Sequence, residues 1–165
     1  MQSRPIVVVM GVTGVGKTTI GSQVAARLGV PFVDADDFHD PKDIARMHRG
    51  EALDDAARAP WLDRLNAELQ RRAAGGIVLA CSALKRSYRE RLVRGLPAVR
   101  FVLLTTDPGV IEERIGDRVG HFAGAALLPS QLETLECPDD AVVVDATGSP
   151  AAVSEAVLHG LEALP

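Results

Sequence analysis

Short runs of apolar, often β-branched residues alternate along the chain with segments of helical spacing. Ile6 to Met10, Phe32 to Asp34, Ile77 to Cys81, Phe101 to Thr105 and Ala141 to Asp145 read as five strands. Their apolar residues are nearly continuous, as in parallel strands buried on both faces. Between them, Ile20, Val24 and Leu28 share a helical face ended by Gly29 and Pro31, and Trp61, Leu62, Leu65 and Leu69 share another ended by Gly75 and Gly76. Pro60 suits the first turn of that second helix. Asp107-Pro108 and Ser149-Pro150 each place a side-chain acceptor before a proline, a helix-start signal. Strands alternating with helices predict right-handed crossovers and an α/β, three-layer αβα fold around a five-stranded parallel sheet. Function then gathers at the carboxyl edge of the strands. Arg118 to Gln131 breaks the rhythm with Gly120, Gly124 and Pro129 and reads as a mobile flap, within a small lid spanning roughly 118–138.

The length, 165 residues, suits one domain (1–165) with a single sizeable core. Hydrophobic residues at 47% and charged residues at 24% fit a soluble globular chain. A formal charge of −4 argues against a surface that coats nucleic acid, so an anionic ligand must be held by local cations. No apolar run approaches membrane-spanning length, and no basic segment precedes a longer apolar stretch near Met1. Cys81 and Cys137 have neither metal-motif spacing nor the density of a disulfide framework, which makes the reducing cytoplasm the simplest setting.

Gly11-Val12-Thr13-Gly14-Val15-Gly16-Lys17-Thr18 follows the first strand and opens an amphipathic helix. It matches the phosphate-binding loop G-x-x-x-x-G-K-[ST], in which glycines let backbone N–H groups close around phosphate oxygens. Lys17 is placed to reach the β and γ phosphates and Thr18 to ligate Mg²⁺, with Thr19 beside it where the positive end of the helix dipole faces the anion. The third strand ends without an aspartate to assist a metal. Asp34, Asp36 and Asp37, just past the second strand, are the best alternative source. Alternation along an extended segment puts Asp34 and Asp36 on one side, Asp34 for the metal and Asp36 to accept the proton of an attacking hydroxyl.

From here the chain resembles the P-loop gluconate kinases. The resemblance runs from the P-loop through Asp34-Ala35-Asp36-Asp37-Phe38-His39. It continues with Met47, Gly50, Leu53, Asp55, Arg58, Pro60, Trp61 and Leu62, and with Cys81-Ser82-Ala83-Leu84-Lys85 followed by Tyr88-Arg89. Gly120-His121-Phe122, Leu127-Leu128, Ser130-Gln131, Leu135-Glu136 and Pro138 resemble the family's lid signature. It implies ATP-dependent transfer to the 6-hydroxyl of D-gluconate with Mg²⁺, a nucleoside-monophosphate-kinase-like fold and a homodimer. Asp43, Arg46, Ala52 and Ala57 depart from the family pattern. Ala57 removes an acid beside Arg58.

A polyol with a carboxylate at one end calls for cations and mixed hydrogen-bonding groups. Arg58, Lys85 and Arg89 are the candidate cations, and His39 is a candidate partner for a hydroxyl. Arg86 and Arg91 read as members of a solvated helix face. Arg114 and Arg118, four apart on the helix opened at Asp107-Pro108, share one face. Arg114 is the candidate near the nucleotide, and Arg118 the one that stabilises the transferring phosphoryl group. His121 reads as a lid or hinge residue and Trp61 as core. Two rival functions remain at this stage: a shikimate- or nucleotide-kinase-like enzyme of the same fold, and a GTP-binding switch. The switch would need an N-K-x-D segment, which the chain lacks upstream of Ser82.

Overall fold

A computed structural model describes residues 4–116 and 124–164. Five strands, β1 (Ile6–Met10), β2 (Phe32–Asp34), β3 (Ile77–Ala80), β4 (Val99–Thr105) and β5 (Val142–Asp145), form one parallel sheet in the order β2-β3-β1-β4-β5. The helices are α1 (Lys17–Leu28), α2 (Pro41–His48), α3 (Asp55–Arg72), α4 (Arg86–Leu92), α5 (Pro108–Gly116), α6 (Gly124–Thr134) and α7 (Pro150–Glu162), with a 3₁₀ turn at Ala35–Phe38.

The continuous apolar run of β1 is divided between two cores. Val7 and Val9 face a cluster that includes Ile20 and Val24 of α1 and Val153 and Val157 of α7. Ile6, Val8 and Met10 face the opposite cluster, with Trp61, Leu62, Leu65 and Leu69 of α3 and Leu92 of α4. Period-two side chains on a buried strand produce this partition, and so the three layers. The register aligns Val9 with Ala80 and Ala80 with Asp34, so the chain leaves β1, β2 and β3 at one edge.

The sequence places α3 too late. Asp54 accepts the Ala57 N–H at 2.7 Å and starts the helix at Asp55, leaving Pro60 inside it. The cap satisfies an otherwise orphaned donor, and Pro60 lies on the exposed side, where water can reach the carbonyl it leaves unbonded. Ser149 and Asp107 behave as expected, accepting from Ala152 N at 3.2 Å and from Gly109 N at 2.8 Å. Residues 124–134 of the expected flap are helical. Leu127 and Leu128 anchor them in buried clusters, which overrides the weak helix signal of Gly124 and Pro129. Arg118 and His121 lie outside the described residues. No helix among the described residues is long and apolar enough to cross a membrane.

Candidate active site

Beyond β1 the backbone folds into conformations that only glycine adopts without strain. Gly11 (φ 145°) and Gly14 (φ 79°) are also crowded: a Cβ on Gly14 would stand 2.7 Å from Ile115 and 2.8 Å from Ile111, both on α5. The loop is therefore packed from below by α5 and turned so that its upper face is backbone. Val12 and Val15 are buried beneath it. The Lys17 ammonium reaches back to the Val12 carbonyl at 2.9 Å.

Two cavities share this loop. The larger, about 620 Å³, takes in Thr13, Gly14, Lys17 and Thr18 on one wall and Asp34, Asp36 and His39 on another. Arg58, Lys85, Tyr88, Ser130, Gln131 and Thr134 close the far side. The smaller, about 180 Å³, is lined by Val15, Gly16, Thr19, Arg114, Gly148 and Pro150.

Asp34 and Asp36 come together, though not by strand alternation. Asp34 ends β2 and its carboxylate takes two donors, the Thr18 hydroxyl at 2.6 Å and the Asp36 N–H at 2.9 Å. The second bond turns the chain into the 3₁₀ turn that carries Asp36, a local cap that outcompetes continuation of the strand. Thr18 Oγ1 and Asp34 Oδ2, 2.6 Å apart, are hard oxygens of the kind that could hold a divalent cation beside a phosphate. Among the described residues no cluster of three or more carboxylate, imidazole or thiol side chains is gathered for a metal.

Asp36 has a pKa raised to about 6, chiefly by burial and then by Asp34, with Lys17 opposing. His39, whose Nε2 is 4.0 Å from Asp36 Oδ1, is lowered to about 4 by burial and then by Arg58 and Arg64. The imidazole is thus neutral at pH 7 and able to hydrogen-bond a hydroxyl. It stacks on Trp61, with centroids 4.2 Å apart and planes 10° from parallel. Trp61 is core, as its spacing suggests, but it also donates Nε1–H to the Ala35 carbonyl at 2.8 Å. Arg64 donates to Phe38 O at 2.7 and 3.0 Å. Helix α3 thereby grips both ends of the acidic turn.

The opposite wall is cationic. Arg58 lies in the first turns of α3 rather than ahead of the helix. Its guanidinium carbon is 4.7 Å from the Tyr88 ring centroid, and its buried Nε has no hydrogen-bond partner among the described residues. Lys85 lies 5.4 Å from the same ring. The Asp55 carboxylate accepts from Tyr88 Oη at 2.6 Å and from Lys85 Nζ at 3.3 Å, and these bonds, Tyr88 first, hold its pKa below the usual carboxylate value. The Tyr88 ring thus contacts both cations, and Asp55 pairs with Lys85 while holding the ring in place.

Arg89 does not line this cavity. It is buried beneath it, with Nη1 donating to Ala83 O at 2.7 Å and Leu84 O at 3.2 Å. Arg114 lines the smaller cavity, its orientation set by bonds to Ala146 O at 2.6 Å, Val15 O at 3.2 Å and Thr147 O at 3.3 Å. Arg86 and Arg91 pair with Glu90 and Asp63 at the surface, as expected.

Several contributors were not singled out by residue type: Asp55 and Tyr88, which set the cations, and Gln131, whose Oε1 accepts the Thr13 N–H at 2.6 Å. The available signal was their position inside the resembling blocks.

An AAA domain family model matches residues 6–138. The gluconokinase of Gluconobacter oxydans (strain 621H) is 45% identical over 161 residues, covering 94% of this chain and 90% of its own. Among solved structures, an unliganded sugar kinase from Janibacter sp. HTCC2649 superposes with a TM-score of 0.89 at 44% identity, covering 98% of this chain and 96% of that one. A gluconokinase from Sinorhizobium meliloti 1021 gives 0.87 at 38% identity, covering 98% and 94%. A shikimate kinase from Bacteroides thetaiotaomicron, at 15% identity and a TM-score of 0.64 over 96% of this chain and 97% of that one, shares the fold alone.

Proposed function

The chain belongs to the gluconokinase family, and we propose that it phosphorylates D-gluconate to 6-phospho-D-gluconate at the expense of ATP, its own residues dividing that work. The observation that carries the division is a single cavity with the P-loop and two carboxylates on one side and two ring-bound cations on the other.

The P-loop backbone N–H groups of Gly14, Gly16 and Lys17 hold the phosphates, and Lys17 leaves the Val12 carbonyl to neutralise them. Arg114 and Thr19 flank the smaller cavity, which takes the nucleoside end of ATP. Mg²⁺, held through Thr18 and Asp34, neutralises charge on the phosphate oxygens when bound. Arg58 and Lys85 hold the substrate carboxylate, and His39 accepts or donates a hydrogen bond at a hydroxyl. This presents the far end of the polyol to Asp36, which takes the proton of the reacting hydroxyl as the phosphoryl group moves. Arg118, outside the described residues, remains the proposed further cation for that group. A homodimer and a cytoplasmic setting complete the reading. The first rests on the family resemblance, and the free thiols of buried Cys81 and exposed Cys137 fit the second.

The test is ADP release with a panel of acceptors. Gluconate supports turnover, whereas shikimate and nucleoside monophosphates do not, and Lys17→Ala abolishes the gluconate signal. Turnover with shikimate or a nucleotide in place of gluconate would overturn the assignment.

A further inference from the structure

Ala83 is the one non-glycine residue in the left-handed region among the described residues, at φ 45°. It sits between Ser82 and Lys85, both of which line the large cavity, but does not line it itself. A left-handed alanine carries a steric cost and persists only where its surroundings hold it.

What holds it is on the next helix. Arg89 is 7% exposed and folds back over the start of α4 to donate to Ala83 O and Leu84 O. Its own N–H donates to Lys85 O at 3.1 Å. The Leu84 carbonyl also accepts the Glu136 N–H at 2.8 Å, and the Glu136 carboxylate accepts the Arg86 N–H at 3.1 Å. The turn Ser82–Lys85 is thus clasped from α4 and from the segment that follows α6. On its other side Ser82 O accepts the Gly11 N–H at 3.4 Å.

We infer that Arg89 is a positioning residue. It holds Ala83 in its left-handed conformation and so aims Lys85 and Ser82 into the acceptor side of the cavity, without itself touching the substrate. A helix start offers nothing to attract a guanidinium, since the dipole there is positive, and Lys85 caps α4 without a side-chain bond. The two carbonyls of the turn take the hydrogen bonds of the buried Arg89 head, and Glu136 and Asp140 add electrostatic attraction from the segment after α6. This inference rests on the assignment of Arg58 and Lys85 to the carboxylate of gluconate, and it replaces the sequence expectation that Arg89 meets that carboxylate directly.

The experiment is a double-mutant cycle of Arg89→Met and Ala83→Gly, with Arg89→Lys as the conservative variant. Arg89→Met raises KM for gluconate by about 10-fold or more, the scale of a misaimed binding group, while KM for ATP stays within about 2-fold of wild type. Arg89→Lys, keeping one donor, falls between. Ala83→Gly alone stays near wild type, because glycine adopts the turn freely. In the Arg89→Met background it recovers much of the lost gluconate affinity, which removal of a direct substrate contact would not permit. No recovery, or an equal rise in both KM values, overturns the inference. Urea midpoints supply a readout independent of any acceptor: the two substitutions are non-additive if Arg89 holds the turn, and additivity counts against it. Absence of gluconate turnover in the wild type would instead strike the assigned function and leave the urea cycle to judge Arg89.

Discussion

Asp36 is half-buried, and the Asp34 carboxylate and the Lys17 ammonium act on its charge in opposite senses. Burial and the neighbouring acid raise its pKa to about 6, so the carboxylate is protonated below that pH and ionised above it. A base must be ionised to accept a proton, so activity is lost as pH falls through this value. The expected acid limb of kcat/KM is centred near pH ~6, well above the ordinary carboxylate range of ~4. An imidazole titrates in the same region, but His39 is held to about 4. His39→Gln therefore lowers activity yet leaves the limb in place, and a limb that vanishes with His39 would assign it to the imidazole. Asp36→Asn lowers kcat by about 10²–10⁴-fold, the usual contribution of a general base, with little change in ATP affinity. The acids were legible because carboxylates beside a polyphosphate need a chemical reason. Arg89 was misread because a charged residue in a charged segment looks the same whether its head meets a ligand or a backbone carbonyl.

At the scale of elements, α3 shows what local chemistry does to a site. Its start is decided by Asp54, whose carboxylate bonds the Ala57 N–H at 2.7 Å, and the residues this cap brings into the helix include Asp55 and Arg58. Pro60, a helix-start signal by composition, pulls the reading of the boundary five residues late, since proline is tolerated inside when its exposed side faces water. The strands were easier. A continuous apolar run of five residues cannot be accommodated on a half-solvated surface, and Ile6–Met10, buried throughout, appears at the boundaries the sequence suggests. Asp54→Ala removes the cap and costs about 1 kcal/mol of stability, measurable by urea unfolding. It also frays the turn that carries Asp55 and Arg58, so KM for gluconate rises more than KM for ATP. Equal changes in the two would mean that the cap serves the fold alone.

Across the whole molecule, the two halves of the reaction meet only because segments far apart in the chain close on one another. Helix α6 roofs the large cavity through Leu127, which packs with Met47 and Leu53. It touches the P-loop through Gln131, 118 residues from its partner Thr13. No local pattern announces such a contact, and the glycine and proline of that stretch point away from a helix. This explains why the strand edge was legible while the roof above it was not. Thr13 and Gln131 both line the large cavity, so the bond from the Thr13 N–H to the Gln131 carboxamide oxygen ties the roof to the P-loop. A roof held down keeps water from competing with the acceptor hydroxyl. Gln131→Leu, which keeps the apolar stem and removes the acceptor oxygen, should therefore raise ADP release in the absence of gluconate relative to gluconate-dependent turnover. A coupled assay run with and without acceptor measures that ratio directly. An unchanged ratio with a lower overall rate would show that Gln131 tunes the P-loop itself and has no part in excluding water.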